Sequence, residues 1–446
     1  MGKLTPPQLL IFSFLCVIII GTVVLSFPAA VQSGERLSLI DSCFTATSAV
    51  CVTGLTVKDT ASCFSGAGKW VIFLLFQAGG LGIMTFSTLF AVLLGRKIGF
   101  YQTDIIRTTL DKRNIFGLKK LIAYILTITI TVEAIGSVFL FLRWKNIAGW
   151  NLFETAERAL FHSVSGFCNA GFSLFNDSLT QFQADPYTNL IMMLLIFLGG
   201  IGFIVIVDVL GLFYKKGSEK RISLQSKIAL TVTAILILAG TLLILFFEKD
   251  NLMKVMSWPE RSLTALFQSV TARTAGFNTM PTSGLSVPSL VSLIFLMFIG
   301  ASPGSTGGGI KTCTLAVIGA TVYAMFKNKR RTMLFKRSIP RRIIREALVI
   351  FFLAISWIFV VTVLITFSET GRAGGNFLKA LFEVVSAFGT VGLSTGITGT
   401  LNSFSKVCII ATMFAGRVGP LTLALAVAFK ERKDSYFFPE EDVMVG

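Results

Sequence analysis

Four short segments of small residues, each ending in glycine and a large apolar residue, are places where backbone oxygens could bind a cation. They lie at 44–55, 161–172, 267–277 and 382–393, and each begins with phenylalanine. Glycine adopts positive φ without a Cβ clash, so such a segment can turn its carbonyl groups to one side. Rings of backbone carbonyls replace the hydration shell of potassium ions in selectivity filters. The segments therefore predict a site for a dehydrated cation.

The predicted ion-binding residues are the last residues of each segment up to its glycine. They are Cys51, Val52, Thr53, Gly54, Cys168, Asn169, Ala170, Gly171, Thr274, Ala275, Gly276, Gly389, Thr390, Val391 and Gly392. None of them is a carboxylate, which argues against an acidic ring for calcium and favours a monovalent cation. Arg273 would repel cations if it faced a pore. We expect it to point behind the filter, into a salt bridge or toward carbonyl groups.

A second glycine-rich run interrupts a long apolar stretch between residues 288 and 326. A run with five glycines and a proline cannot hold a continuous helix, so two half-helices are expected to flank a flexible loop. We interpret this loop, with two basic residues, as a gate below the filter. The gate residues are Gly300, Ser302, Pro303, Gly304, Ser305, Thr306, Gly307, Gly308, Gly309, Lys311 and Arg417. A nucleotide-binding P-loop is disfavoured because Ile310 separates glycine from Lys311 and no strand precedes the run.

Arg417 lies within the last apolar stretch, where a guanidinium group is costly unless it faces the bundle interior and finds partners. One interpretation is a bond that only stabilises its own helix. The preferred one is that Arg417 binds carbonyls of the glycine-rich loop and forms a positive barrier below the filter. Lys311 either belongs to the same barrier or extends toward the cytoplasm.

The composition requires that these segments be held by membrane helices. Of 446 residues, 53% are hydrophobic and 14% are charged, whereas soluble domains carry about 25% charged residues. Stretches long enough to cross a bilayer are predicted at 8–27, 70–95, 119–142, 187–213, 227–247, 288–326 (interrupted), 346–367 and 405–429. The four glycine segments are shorter, which is typical of re-entrant segments.

The net charge of +17 comes largely from clusters that follow the second, fourth, sixth and eighth stretches. Such clusters orient membrane helices with their basic loops in the cytoplasm. We therefore predict a multi-pass protein of the cytoplasmic (inner) membrane with both termini inside. Lipid is the expected surrounding, and the charge implies no contact with nucleic acid.

The terminal glycines Gly54, Gly171, Gly276 and Gly392 are 117, 105 and 116 residues apart, about a quarter of the chain. A second set of landmarks, Gly80, Gly200, Gly300 and Gly416, keeps step with them, which indicates an internal repeat. The predicted fold is an all-α membrane protein of four parallel helix–re-entrant loop–helix repeats with pseudo-fourfold symmetry around one pore. The repeats are 1–110, 111–222, 223–340 with the broken inner helix, and 341–446 with a short cytoplasmic tail. The alternative is that the short segments are packing elements of another transporter architecture.

The chain resembles the Trk/Ktr/HKT superfamily of potassium transporters over essentially its whole length, and most closely the KtrB-like membrane subunit. The resemblance rests on the motifs at 52–55, 169–172, 273–277, 389–393, 300–312 and 416–420. It implies one filter lined by the four glycines, a gate in the broken helix, and an arginine beside that gate. It associates glycine at position 54 with potassium preference. It also implies homodimers with one pore per subunit and a cytosolic ring of nucleotide-binding RCK-type subunits.

Cys51 and Cys168 depart from the superfamily pattern and place thiols near the expected filter. If both line its entrance, a small cationic thiol reagent should reduce uptake. The seven scattered cysteines predict neither a disulfide framework nor a zinc site. Glu383 is expected to pair with Lys379, and His162, the only histidine, to be packed rather than to bind metal.

The predicted function is potassium uptake, with this chain as the ion-translocating subunit of a Ktr-type system. Potassium is the expected substrate, with no cofactor bound by the chain and sodium open as a co-ion or activator. The alternative is a sodium- or proton-coupled secondary transporter with alternating access. A membrane enzyme is disfavoured, since no nucleophile, base and orienting residue occur together in the sequence.

Overall fold

A computed structural model describes residues 6–32, 36–82, 116–147, 149–214, 222–420 and residue 422, which are mostly helical. Most of the basic clusters predicted after the second, fourth and eighth stretches lie outside these residues. The helices are α1 (Pro6–Leu25), α2 (Leu39–Val50), α3 (Thr60–Cys63), α4 (Gly66–Gly80), α5 (Phe116–Trp144), α6 (Leu152–Cys168), α7 (Pro186–Ile201), α8 (Phe203–Tyr214), α9 (Leu224–Glu248), α10 (Trp258–Thr271), α11 (Val287–Phe298), α12 (Thr312–Phe326), α13 (Arg341–Ser368), α14 (Phe377–Gly389) and α15 (Ser403–Val418). One hairpin joins β1 (Met333–Leu334) to β2 (Arg337–Ser338).

The same order of helices recurs along the chain. An outer helix (α1, α5, α9, α13) precedes a short helix (α2, α6, α10, α14), and an inner helix follows. Within the described residues, three single helices are long and apolar enough to cross a bilayer, and α7 with α8 makes a fourth if that bent pair is one span. Each of the eight predicted stretches overlaps a helix within the described residues, and the parts of the second and eighth at 83–95 and beyond 422 lie outside them. The number of complete spans and the repeat boundaries stay predictions.

The stretch at 187–213, which is predicted as one span, is not one continuous helix. It is divided into α7 and α8, which meet at an angle of 100°. The bend lies at Gly202, whose φ is +94° and where a Cβ would lie 2.8 Å from the carbonyl oxygen of Pro303. The N–H of Phe203 donates to the carbonyl of Gly304 at 3.1 Å. The helix is therefore broken by a partner that is remote in sequence.

The short helices begin at polar caps and end in the core. A capping box of Asn151 and Glu154 starts α6, and one of Ser257 and Glu260 starts α10. Such caps satisfy backbone N–H groups that have no partner inside the helix. The second half of each short helix is buried. Each helix therefore points its C-terminal end, with its partial negative charge, into the interior.

The packing of the short helices closes a ring. Helix α6 contacts α4, α10 contacts α7, and α14 contacts α11, so each packs on the inner helix of the preceding quarter. Helix α2 packs on α15, the inner helix of the last quarter. There the ammonium of Lys406 donates to a carboxylate oxygen of Asp41 at 2.7 Å, and both side chains are largely buried.

Candidate functional site

The glycines Gly54, Gly171, Gly276 and Gly392, here called the glycine ring, lie side by side at the centre of the helices. A Cβ on Gly54 would lie 2.6 Å from the carbonyl oxygen of Ala170, and one on Gly171 would lie 2.8 Å from that of Ala275. A Cβ on Gly276 would meet the carbonyl oxygen of Val391, and one on Gly392 would meet that of Thr53. One backbone oxygen from each segment thus abuts the glycine of the segment before it, around a closed circuit.

The four segments also share a backbone pattern. In each, the glycine and the residue two positions earlier have positive φ, although that earlier residue is never glycine. The pairs are Val52 and Gly54, Asn169 and Gly171, Thr274 and Gly276, and Thr390 and Gly392. Positive φ is uncommon and costly for non-glycine residues and persists only where the surrounding structure imposes it. Four strained segments of the same form indicate one shared backbone path.

Hydroxyl groups of the short helices brace three of the segments. Ser165 donates to the carbonyl of Phe172 at 2.8 Å, and Thr271 donates to that of Phe277 at 2.6 Å. In the fourth, the N–H of Gly392 donates to the Ser386 hydroxyl at 3.1 Å. These bonds tie the residues on and after the glycines back to the helices that precede them.

A polar cavity of about 510 Å³ opens from the glycine ring, and all four glycines line it. Its other lining residues mostly follow the glycines in sequence and are rich in Ser, Thr and Asn. Asp59 and Asp177 also line it, and none of the described lining residues is Lys or Arg. Carboxylates without basic partners in the same wall raise the local concentration of cations.

The residues before the glycines contact the glycine-rich loop, here residues 300–311. The side-chain oxygen of Asn169 accepts from the hydroxyl of Thr306 at 3.1 Å. The N–H of Gly308 donates to the hydroxyl of Thr390 at 2.9 Å. A Cβ on Gly307, between them, would collide with the side chain of Thr274. Three consecutive loop residues thus touch equivalent positions of the second, third and fourth segments.

Two basic side chains meet the same loop. The guanidinium of Arg417 donates to the carbonyl of Thr306 and to that of Gly79, on the inner helix of the first quarter. The ammonium of Lys311 donates to the carbonyl of Gly307 at 2.7 Å. Both cations therefore lie on loop carbonyls just beneath the glycine ring.

The loop is also fixed to the inner helices. The N–H groups of Ser302 and Thr306 donate to the carbonyls of Gly200 and Gly199 at 3.0 and 3.2 Å, and that of Gly309 donates to Gly416 at 3.3 Å. The two ends of the loop pair through a parallel β-bridge between Ile299 and Ile310. The run is thus an ordered, hydrogen-bonded layer rather than an open linker.

The side chains of Cys51 and Cys168 are buried rather than exposed at an entrance. The thiol of Cys168 donates to the side-chain oxygen of Gln77 at 3.2 Å and lies 3.7 Å from a carboxylate oxygen of Glu133. Gln77 in turn donates to Glu133 at 3.1 Å. This structure does not meet the condition for thiol block. The Gln77–Glu133 contact was not anticipated from the sequence.

Three further predictions concern charged or titratable groups near the segments. Arg273 is buried and donates to the carbonyl of Gly300 at 3.1 Å. Of the two predicted partners, a salt bridge or a carbonyl group, the structure shows the carbonyl group. The expected pair of Glu383 with Lys379 is wrong, because the carboxylate accepts instead from the hydroxyls of Ser394 and Thr398 and from the N–H of Thr395, its neighbours across the loop. His162 is packed between the carbonyl of Arg158 and the hydroxyl of Ser173. No cluster of metal-binding side chains occurs in the described part of the chain.

A family model described as TrkH, cation transport protein, matches residues 7–438. The chain belongs to this family. It is 39% identical to the potassium/sodium uptake protein NtpJ of Enterococcus hirae, over 100% of this chain and 98% of that one. It is 38% identical to the Ktr system potassium uptake protein B of Bacillus subtilis, over 100% and 97% of the two chains. This protein is therefore a multi-pass membrane protein of a cation transport family.

The fold has a solved counterpart in the same family. The crystal structure of the potassium transporter TrkH from Vibrio parahaemolyticus superposes with a TM-score of 0.70 and covers 94% of this chain and 85% of that chain. At 22% identity this likeness bears on the fold alone.

Proposed function

We propose that this protein takes up potassium through a filter formed by the glycine ring, as the ion-translocating subunit of a Ktr-type system. The observation that carries the proposal is the closed circuit in which each segment places a carbonyl oxygen against the glycine before it. Such oxygens can replace the hydration shell of an alkali cation without introducing a fixed negative charge. In this interpretation the repeats surround one pore with pseudo-fourfold symmetry.

The surroundings of the ring support a cation pathway. Ions reach it from the polar cavity that contains Asp59 and Asp177. Within the described residues, the buried hydroxyls of Thr53 and Thr274 lack a hydrogen-bond partner. A buried polar atom without a partner is uncommon and calls for an explanation such as water or an ion. A dehydrated cation moving past these positions is the partner that we propose.

The glycine-rich loop is the proposed gate. Thr306, Gly307 and Gly308 touch three of the segments, and Arg417 links the loop to the inner helix of the first quarter. The loop thus occupies the route below the ring, and two cations on its carbonyls oppose the passage of a third. Opening requires these contacts to break. In this interpretation the structure is the closed form of the proposed pathway.

The similar proteins guide the choice of ion and partner. One is named for potassium and sodium and the other for the Ktr potassium uptake system. We propose potassium as the substrate, sodium as a co-ion or activator, and no cofactor bound by this chain. A homodimer in the inner membrane, with cytoplasmic termini and an RCK-type ring, completes the proposed assembly.

Gly54→Ser is the test of the filter. A Cβ there is blocked by the carbonyl of Ala170, and φ is +85°, so the ring must rearrange. We expect the preference for potassium over sodium to fall about tenfold, which corresponds to about 1.4 kcal/mol. Uptake of both ions would be measured in vesicles that contain the purified protein.

Gly396→Ser is the matched control. Gly396 lines the same cavity and has φ of +94°, but a Cβ there meets no atom within 4 Å. It carries the same backbone strain without touching the ring and should keep the ion preference. Unchanged selectivity in Gly54→Ser, in a protein with normal thermal stability, would remove the ring from the proposed filter.

A further inference from the structure

The link between α12 and α13 is the most basic described stretch of the chain. Residues 327–345 contain nine Lys and Arg and no Asp or Glu. The nearest acid, Glu346, is paired with Arg342 at 2.8 Å. All nine of these basic side chains are exposed. The stretch therefore presents a concentrated positive charge to whatever lies beside it.

The hairpin within this stretch folds back along α12 instead of projecting away from it. The hydroxyl of Thr332, just before β1, donates to that of Thr321, more than one turn before the end of α12, at 3.4 Å. The ammonium of Lys329 lies 5.5 Å from the centre of the Tyr323 ring. Tyrosine is enriched where membrane helices meet the headgroup region. These contacts hold the hairpin level with the last turns of an apolar helix.

The tip of the hairpin is strained in a way that its residue types do not explain. Phe335 and Lys336 join the strands with φ of +48° and +61°. A two-residue turn with positive φ at both positions favours Asn and Gly, and bulky residues are uncommon there. Phe335 is also 49% exposed and lies near the exposed Met333. A costly backbone position thus carries an exposed aromatic side chain next to Lys336 and Arg337.

We infer that this hairpin is a binding site for anionic phospholipid, with Lys and Arg on the phosphate and Phe335 in the boundary between headgroups and acyl chains. The inference rests on the proposed orientation, which puts 327–345 on the cytoplasmic side. Basic clusters directly beside a membrane helix bind anionic lipids, with about 1 kcal/mol per side chain. An acidic soluble partner explains the charge but not an exposed phenylalanine held against a membrane helix.

The test uses the full-length protein in neutral detergent, titrated with phosphatidylglycerol and followed by native mass spectrometry. The hairpin variant is Arg330→Gln, Lys336→Gln and Arg337→Gln. The control variant removes the same charge from the opposite face by Arg36→Gln, Lys145→Gln and Lys254→Gln, all exposed. We expect the hairpin variant to need about a hundredfold more lipid for equal retention, and the control to match the wild type.

A second measurement locates the tip of the hairpin relative to the lipid. Phe335→Trp, corrected for the fluorescence of the wild-type tryptophans, should be quenched more strongly by brominated phosphatidylglycerol than by brominated phosphatidylcholine. Equal lipid retention by the hairpin variant and the wild type would overturn the assignment. An acidic protein would then be the better candidate for the partner of this surface. The ion preference of the hairpin variant is expected to be unchanged, so failure here is distinct from failure of the proposed filter.

Discussion

The glycine ring and the layer directly beneath it are built in opposite ways. Four segments contribute to the ring with the same pattern of positive φ, although their sequences differ. The layer beneath comes from one segment, the glycine-rich loop, which reaches across to the second and fourth quarters. Only the third of the described inner helices is interrupted by such a long loop.

In the proposed function, this difference divides selection from control. A cation that must be surrounded by oxygens needs equal contributions from all sides, which favours a near-symmetric ring. The proposed barrier needs only one obstacle, which the third quarter supplies; Gly199 and Gly416 provide carbonyls to the loop, and Gly79 provides one to Arg417. Changes in the ring should therefore alter ion preference, whereas changes in the loop should alter flux.

The largest effect is expected from Gly392→Ala, which attacks the ring. Its Cβ would be driven into the carbonyl of Thr53, and φ of +93° adds strain of about 1–3 kcal/mol. Potassium uptake should be lost or nearly lost in a cell that depends on it for growth. Gly396→Ala has similar φ but an open site and isolates the contact from the strain. Equal uptake by the two variants would show that the ring does not need its close approach.

Removing residues 305–307 attacks the layer beneath the ring and should raise the flux of potassium instead of abolishing its uptake. The deletion eliminates the contacts of Thr306 with Asn169 and Arg417 and that of Gly307 with Lys311. If about 2 kcal/mol of hydrogen bonding holds the loop closed, the flux of potassium should rise about thirtyfold. The flux would be measured as potassium uptake into vesicles. The ion preference should stay that of the wild type. Unchanged flux would mean that the loop does not obstruct the route.

A smaller effect is expected from Glu133, which touches only one segment of the ring. Glu133→Ala removes the acceptor that faces Gln77 and Cys168, and a lost buried hydrogen bond costs about 1–3 kcal/mol. Glu133→Gln keeps an oxygen in the same place and serves as the matched control. Thermal unfolding should show a lower Tm for the alanine variant than for the glutamine variant. Identical Tm values would exclude Glu133 as a support of the second segment.

The sequence was informative wherever a feature recurs. Repetition at about a quarter of the chain identified the four glycines, because a chance match rarely recurs in register four times. Long apolar runs likewise gave the helices, with α9 and α13 extending beyond the predicted ends. The break between α11 and α12 followed from glycine and proline chemistry.

Contacts with partners elsewhere in the chain were harder to predict. The bend at Gly202 depends on Pro303 and Gly304, about a hundred residues away, and an isolated glycine inside an apolar run gives no sign of it. The partners of Glu133, Gln77 and Cys168, belong to other helices. Lys379 lies one helical turn before Glu383, yet the hydroxyls across the loop are nearer. Local spacing cannot rank such competing partners.

The circular order of helix packing has a consequence for biosynthesis. Helix α2 is made among the first residues, but its neighbour α15 is among the last, and Asp41 must wait for Lys406. The circuit therefore cannot close before α15 has been made. A partly inserted nascent protein has an incomplete ring, so translation itself delays any finished conduit until α15 is in the bilayer.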